Sequence, residues 1–354
     1  MSTRTREGHV TFIQNAWYVA GWSADIDRNL KRSTVIGQPL VVYRTEAGEA
    51  VALEDRCPHR FLPLSMGTLH GDVVECGYHG LRFDCFGKCV RIPGQERIPS
   101  TAQVRKYPVA ENMGLVWVWM GNADLAATVE PFDLPEYHDP EWGVAHGDAL
   151  AVDAHYLSLA DNLCDPAHVS FVHGTTLGSP AGEEIPIYSE RQGDKILTWR
   201  WTLDSEPVAF FRMFGNFSGN VDRWQYYHLH APSTAIIDFG SADAGTGAPD
   251  GNRDDCIQVY SCHFMTPVDE RKTIDYWLHV RNFAAGDASV GERISDAFRI
   301  AFAEDKAILQ AVQAEEDRLP DRQPVRIAID AGANRLRKLI NELKHKEISS
   351  AVAS

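Results

Sequence analysis

The sequence predicts an α+β protein of two domains, an all-β unit followed by a unit that mixes strands with helices. Three observations predict it. Short apolar and β-branched runs, punctuated by glycine turns, fill the chain to about residue 122. A stretch rich in proline and acids, Asp124 to Asp139, then breaks the pattern. Beyond it, strand-like runs are interleaved with two strong helix candidates, the clearer spanning 291–318. The boundaries that follow are 1–122 for the first domain, 123–139 for a linker and 140–354 for the second. A chain of 354 residues gives each domain enough length to bury its own core.

Taken in order, the ordered chain is expected to begin at Asn15-Ala16-Trp17-Tyr18, after a loose charged segment. Leu40–Arg44 and Ala50–Glu54 form a hairpin across a turn at Gly48 and deliver the chain into Cys57. Val73–Glu75 is a short strand that runs into Cys76, so each of these cysteines follows a strand. Arg91–Gln95 reads as a turn able to lie over that region. Gly114–Gly121 is a strand with Leu115, Trp117 and Trp119 on one face. In the second domain, strands are expected at Ile196–Leu203, Trp224–His230, Ile257–Phe264 and Thr273–Val280. Asp243–Asp255 reads as an exposed loop.

Cys57-Pro58-His59 and Cys76-Gly77-Tyr78-His79 bring two thiols and two imidazoles together as two mixed pairs. A structural zinc site usually pairs like with like, Cys with Cys and His with His. A Rieske [2Fe–2S] centre needs two Cys on one iron and two His on the other. Mixed pairs allow each loop to give a sulfur to one iron and a nitrogen to the other, so the spacing favours the Rieske reading for Cys57, His59, Cys76 and His79. Cys85, Cys89, Cys164, Cys256 and Cys262 have no such company and read as structural thiols. Seven cysteines make no even disulfide framework and fit a reducing, cytoplasmic setting. The net charge of −15 argues against nucleic acid or an anionic membrane as partner, and no apolar run is long enough for a signal peptide or a span.

A second constellation lies in Asn162-Leu163-Cys164-Asp165-Pro166-Ala167-His168, continuing to His173. Five positions on a regular helix turn through about 140°, so His168 and His173 share a metal only if the helix distorts or ends near His173. From the residues alone, two unrelated structural histidines remain open. Asp305 lies within the apolar stripe of the long helix, with Ile294, Phe298, Ala301, Phe302, Ile308, Leu309 and Val312, while Glu304 is about 100° away toward the polar side. A carboxylate on a buried face needs an ion pair, hydrogen bonds or a metal. Glu304 is expected to be dispensable.

These motifs resemble those of the Rieske non-haem iron oxygenases, and the vanillate O-demethylase and dicamba monooxygenase branch in particular. The resemblance covers nearly the whole chain. It implies a Rieske β domain followed by a helix-grip catalytic domain, a curved antiparallel sheet wrapped over helices. It implies mononuclear Fe(II) held by His168, His173 and Asp305, a facial triad with positions open for O2. Asn162 matches an Asn near that iron. Asp165 matches an aspartate that hydrogen-bonds an iron histidine and a Rieske histidine, here His79, across a head-to-tail homotrimer; the residues alone suggest a helix N-cap before Pro166. His263 and Asp238 match substrate-contacting positions, although both alternate with apolar residues on strands and read equally as ordinary strand groups. Asp296 stands where the branch has an aromatic pocket residue, which speaks against dicamba as the substrate. The implied partners are a small aromatic substrate and a separate flavin and ferredoxin-type reductase that passes electrons from NADH.

Overall fold

The computed structural model describes residues 12–174 and 176–353; the charged segment expected to be loose lies outside them. The chain divides into two compact units, one comprising residues up to Asp133 together with Thr266–Asp269, the other Leu134–Met265 and residues 270–354.

The first unit is built from three small antiparallel sheets. Trp17–Trp22, Leu115–Trp119 and Val109–Asn112 make one, and all five residues of Leu115–Trp119 are buried, so both faces of that strand are covered. The second contains the expected hairpin, Gln38–Arg44 against Ala50–Glu54, with Leu40 opposite Glu54 and Arg44 opposite Ala50. The third joins Thr68–His70, Val73–Glu75, Arg82–Phe83 and Cys89–Arg91. Val41, Tyr43, Leu53, Leu64, Val74 and Phe83 form a core that also takes in Cys57 and Cys76. The two cysteines are therefore fixed by apolar packing as well as by their loops.

The second unit is organised by a seven-stranded antiparallel sheet. In spatial order its strands are Gly143–Val152, Lys272–Arg281, Ile257–Asp269, Thr234–Asp243, Val221–His230, Lys195–Ser205 and Tyr188–Gln192. Every strand expected from the sequence is there, each longer than expected at one end or both. Gly143–Val152 and Tyr188–Gln192 were not expected, because their residues alternate weakly and are half exposed. Register sorts the side chains by face. Arg223, Gln225 and Tyr227 share one face with Ile237, Phe239, Val259 and Ser261, while Trp224, Tyr226 and Asp238 take the other.

The long helix Ala288–Arg318 lies on the first of these faces. Asp287 caps it, its carboxylate accepting from the backbone N–H of Ser289 and Val290. Ile294, Phe298 and the sheet's Phe239, Val259 and Trp277 form the core, with the ring of Phe298 stacked 5.9 Å from Phe210. Each such aromatic stabilises the packing by about 1.5–3 kcal/mol. Ile308 and Val312 were expected in the same apolar stripe but are 44% exposed, while Leu309 between them is buried. A final helix, Ala331–Ala353, buries Leu336, Leu339 and Ile340. Its Arg337 donates to Asp161, next to Asn162, and so braces the short helix Tyr156–Asn162.

Candidate functional site

Cys57 and Cys76 stand on loops of matching construction. The Cys57 N–H donates to Leu62 O and the Cys76 N–H to Leu81 O; four residues on, the N–H of Phe61 returns to Cys57 O and that of Gly80 to Cys76 O. Closing such a loop takes a left-handed residue at the fourth place, and φ is +62° at Phe61 and +70° at Gly80. Glycine suits that position; phenylalanine sits there under strain, with its ring 68% exposed. Asp55 secures the first loop by accepting from the Ser65 N–H and Oγ–H at 2.6 and 2.7 Å. Both sulfurs are buried, and burial, with the Cys76 thiol adjacent, pushes the Cys57 thiol pKa up to about 11. Both imidazoles are exposed, their centroids 4.5 Å apart. Two inner sulfurs and two outer nitrogens fit the two ends of a Rieske cluster.

In the second unit the chain breaks where His168 and His173 require it. Only Val169–Val172 is helical; His168 precedes the turn and His173 ends it, with φ −107° and ψ 30°. The two rings therefore turn to face one site, centroids 5.3 Å apart. The long helix brings Asp305 to the same point, 3.6 Å from His168 Nε2 and 3.2 Å from His173 Nε2. One donor atom from each of the three lies within 4.8 Å of the others. Asn162 Nδ2 donates to Asp305 Oδ1 at 2.9 Å. Burial would raise the Asp305 pKa, but His173, His168 and Asn162 hold it below the ordinary carboxylate value. Burial likewise works against a charged His173, yet Asp305 and Glu304 outweigh it and hold the pKa above normal. Two imidazole nitrogens and one carboxylate, concentrated in a largely buried site, fit a divalent iron.

Glu304 is not the bystander expected from helix geometry. Its Oε2 lies 2.8 Å from His173 Nδ1, leaving Nε2 to face the site. Adjacent helix positions serve one imidazole from two sides because His173 inserts between them and the end of its own turn. An acidic pair beside a buried carboxylate was the available signal. Asp165 does not cap a helix as expected, since the helical turn starts at Val169 with His168 at its N-cap. It closes the turn before it instead, accepting from the N–H of Ala167 and His168, and its Oδ2 lies 3.8 Å from His168 Nδ1.

A pocket opens beside these groups. Its walls include Leu177, Phe211, Phe239, Phe298 and Phe302, with Arg223, Gln225, Tyr227 and Ser261 as polar points. His263 was expected to contact substrate but does not line this pocket. It is 1% exposed and both ring nitrogens are engaged, Nδ1 with Asp275 at 2.7 Å and Nε2 with Ser261 Oγ at 3.0 Å. Asp238, also expected at the substrate, is on the opposite face of the sheet. It accepts from Trp224 Nε1 and Gln258 Nε2 and lies 3.6 Å from Arg253. Strand alternation sends its neighbours Ile237 and Phe239 to the pocket instead.

The comparisons with known proteins agree with this geometry. Residues 16–108 match the Rieske [2Fe-2S] domain and residues 152–346 the vanillate O-demethylase oxygenase C-terminal domain. The chain is 39% identical over 345 residues to the iron-sulfur subunit of the toluene-4-sulfonate monooxygenase system of Comamonas testosteroni, spanning 95% of this chain and 98% of that one. It is 33% identical over 350 residues to a vanillate O-demethylase oxygenase subunit of a Pseudomonas species, spanning 97% and 98%. A crystal structure of dicamba monooxygenase bound to dicamba superposes with a TM-score of 0.86 at 29% identity, covering 96% of this chain and 99% of that one. The chain belongs to the Rieske non-haem iron oxygenases, as the oxygenase component of a monooxygenase, and its cofactors are a Rieske [2Fe–2S] cluster and a mononuclear iron.

We propose that Cys57, His59, Cys76 and His79 hold the cluster and that His168, His173 and Asp305 hold the iron. Cys57→Ser or His79→Ala is then expected to abolish the cluster's visible absorption while the second unit stays folded by circular dichroism. A wild-type spectrum and iron content in either variant would remove the assignment.

Asp305→Ala is expected to keep the cluster spectrum and lose the mononuclear iron. Glu304→Ala is expected to weaken iron retention by about tenfold, the lower end of the effect of losing a group that orients a ligand histidine. Iron analysis after dialysis against a mild chelator checks both, and a Glu304 variant that keeps wild-type iron would return that residue to the solvent face.

Proposed function

We propose that the protein oxidises a one-carbon substituent on an aromatic acid, and that its reaction is O-demethylation of a methoxylated aromatic acid such as vanillate. The observation that carries this reading is the pocket: a two-histidine, one-carboxylate set opens onto an aromatic-walled cavity with few polar points. When bound, the cluster supplies single electrons and the iron activates O2 for insertion into a substrate C–H bond. The chain's own residues do the rest. Phe211, Phe239, Phe298 and Phe302 hold a ring and exclude water; Asp305 and the two imidazoles fix where the reacting carbon must lie; Asn162 and Glu304 keep those ligands oriented. A hydroxylated methoxy carbon is a hemiacetal, which collapses to a phenol and formaldehyde. In balance, substrate, one O2, two electrons and two protons yield phenol, formaldehyde and water.

A second reading, hydroxylation of a ring methyl group, is favoured by the 39% identity to a toluene-4-sulfonate monooxygenase subunit. The electrons come from NADH through a separate flavin and ferredoxin-type reductase, and the exposed His59 and His79 suit the cluster to exchange them at the surface. The working form is a homotrimer in the cytoplasm; among the described residues no helix is long and apolar enough to cross a membrane.

With a compatible reductase and NADH, a panel of methoxybenzoates is expected to release formaldehyde in proportion to NADH consumed. Methyl-substituted aromatic acids that yield only benzylic alcohols, with no formaldehyde from any methoxy compound, would favour the second reading. NADH oxidation without oxygenated product from either class would sink both.

Asp165→Asn is expected to retain both metals but to lose most product formation, because the carboxylate beside His168 Nδ1 supports electron transfer between the centres. Stopped-flow single turnover from pre-reduced protein, following cluster reoxidation and product, tests it. Reoxidation at the wild-type rate would leave Asp165 only the role of closing its local turn.

A further inference from the structure

The strand Val221–His230 turns Arg223 toward the pocket, and nothing in the site described so far uses that cation. Arg223 is 4% exposed. Its Nη1 donates to Leu177 O at 3.2 Å and its Nη2 to Ser179 Oγ at 3.4 Å, while Nε has no partner. Neighbouring Arg200 is 1% exposed and also unbalanced: Nε donates to Gln225 Oε1 and Nη1 to Gly182 O, each at 2.7 Å, leaving Nη2 without a partner. Among the described residues, no carboxylate forms an ion pair with either guanidinium.

Two buried guanidiniums close enough to repel, with Asp165 acting on Arg200 only from beyond contact and no carboxylate paired with Arg223, are an expensive arrangement. Burial, followed by the Arg200 charge, pulls the Arg223 pKa down to about 10. A protein that buries an unpaired cation beside its substrate pocket carries that desolvation cost until an anion arrives. The missing charge is one a planar, forked donor recognises well, a carboxylate or sulfonate oxygen pair. Arg223 is also tied to the iron site by the chain itself. The turn that supplies Leu177 O and Ser179 Oγ follows directly from His173, whose carbonyl accepts from the N–H of Leu177 and Gly178. Gln225 and Tyr227 continue the row along the strand, Gln225 Nε2 donating to the Tyr227 hydroxyl at 3.2 Å.

We infer that Arg223 is the specificity-determining residue of the pocket, anchoring the carboxylate or sulfonate of an aromatic acid so that its one-carbon substituent lies at the iron. In this assignment the anion is read by the strand Val221–His230, and neither His263 nor Asp238 takes part. The inference rests on the proposed reading of the protein as an oxygenase of aromatic acids, and binding and turnover together separate the two.

Anaerobic equilibrium dialysis of the holoenzyme reads binding of 4-methoxybenzoate, toluene-4-sulfonate and the uncharged 4-methoxybenzamide. Formaldehyde and benzylic alcohol read turnover. Wild-type protein is expected to bind at least one anion about tenfold or more tightly than the amide. Arg223→Gln and Arg223→Met are expected to weaken the anion by about thirtyfold or more, the effect of truncating one side of a buried charge pair, and to leave the amide within about twofold. Arg223→Lys should fall between, since a point charge cannot bracket two oxygens. The cluster spectrum and the melting temperature report folding. Anion binding that depends on Arg223 without turnover leaves the anchor standing and removes the proposed reaction. The inference is overturned if wild-type protein binds the amide as tightly as both anions, or if a folded Arg223→Gln variant keeps its anion affinity. Should the neutral variants fail to fold, the wild-type preference and the Arg223→Lys shift decide it on the same terms.

Discussion

The second unit depends on one constraint, a carboxylate placed on the buried face of a helix. Asp305 shares its stripe with Ile294, Phe298, Ala301 and Leu309, and nothing apolar can satisfy it. Its partners must be delivered from elsewhere in the chain. The break at Val169–Val172 supplies two imidazoles and the braced helix Tyr156–Asn162 supplies an amide. Much of the unit can be understood as scaffolding for that delivery. The sheet carries the helix, the tail helix holds Asp161 and thereby its neighbour Asn162, and Glu304 fixes the far nitrogen of His173.

The first unit solves a related problem by repetition. Two loops with the same pair of backbone hydrogen bonds present one buried sulfur and one exposed imidazole each. The duplicated geometry gives a two-metal cluster its two unlike ends, the sulfur end inside the apolar core and the nitrogen end at the surface. The loops differ in detail: His59 stands two residues after its cysteine and His79 three, and the left-handed position held by Gly80 in one is a strained Phe61 in the other.

Sequence was most informative where chemistry and spacing coincide. The mixed Cys/His pairs, the hairpin feeding Cys57 and the helix bearing Asp305 are all legible, because each rests on local periodicity or on a rare combination of donor types. The side chains that act through the fold were harder to read. Glu304 lies on the polar side of an ideal helix, and only the insertion of His173 makes it a partner. His263 and Asp238 alternate with apolar residues in the same way, yet one faces inward onto Asp275 and the other takes the opposite face of the sheet. Strand register decides that, and register is set by neighbours distant in sequence. Arg223 carried no signal at all in the sequence: its meaning lies in being buried without an anion, which is a property of the assembled pocket.

The chemistry proposed for this protein requires two iron centres of different nuclearity, one in each unit. Anomalous diffraction from crystals of the holoenzyme, collected on both sides of the iron edge and again at the zinc edge, tests this most directly. The predicted result is a two-iron feature bounded by Cys57, Cys76, His59 and His79, and a single iron at His168, His173 and Asp305. Zinc at the first position, or no metal bound by those three residues at the second, would contradict it.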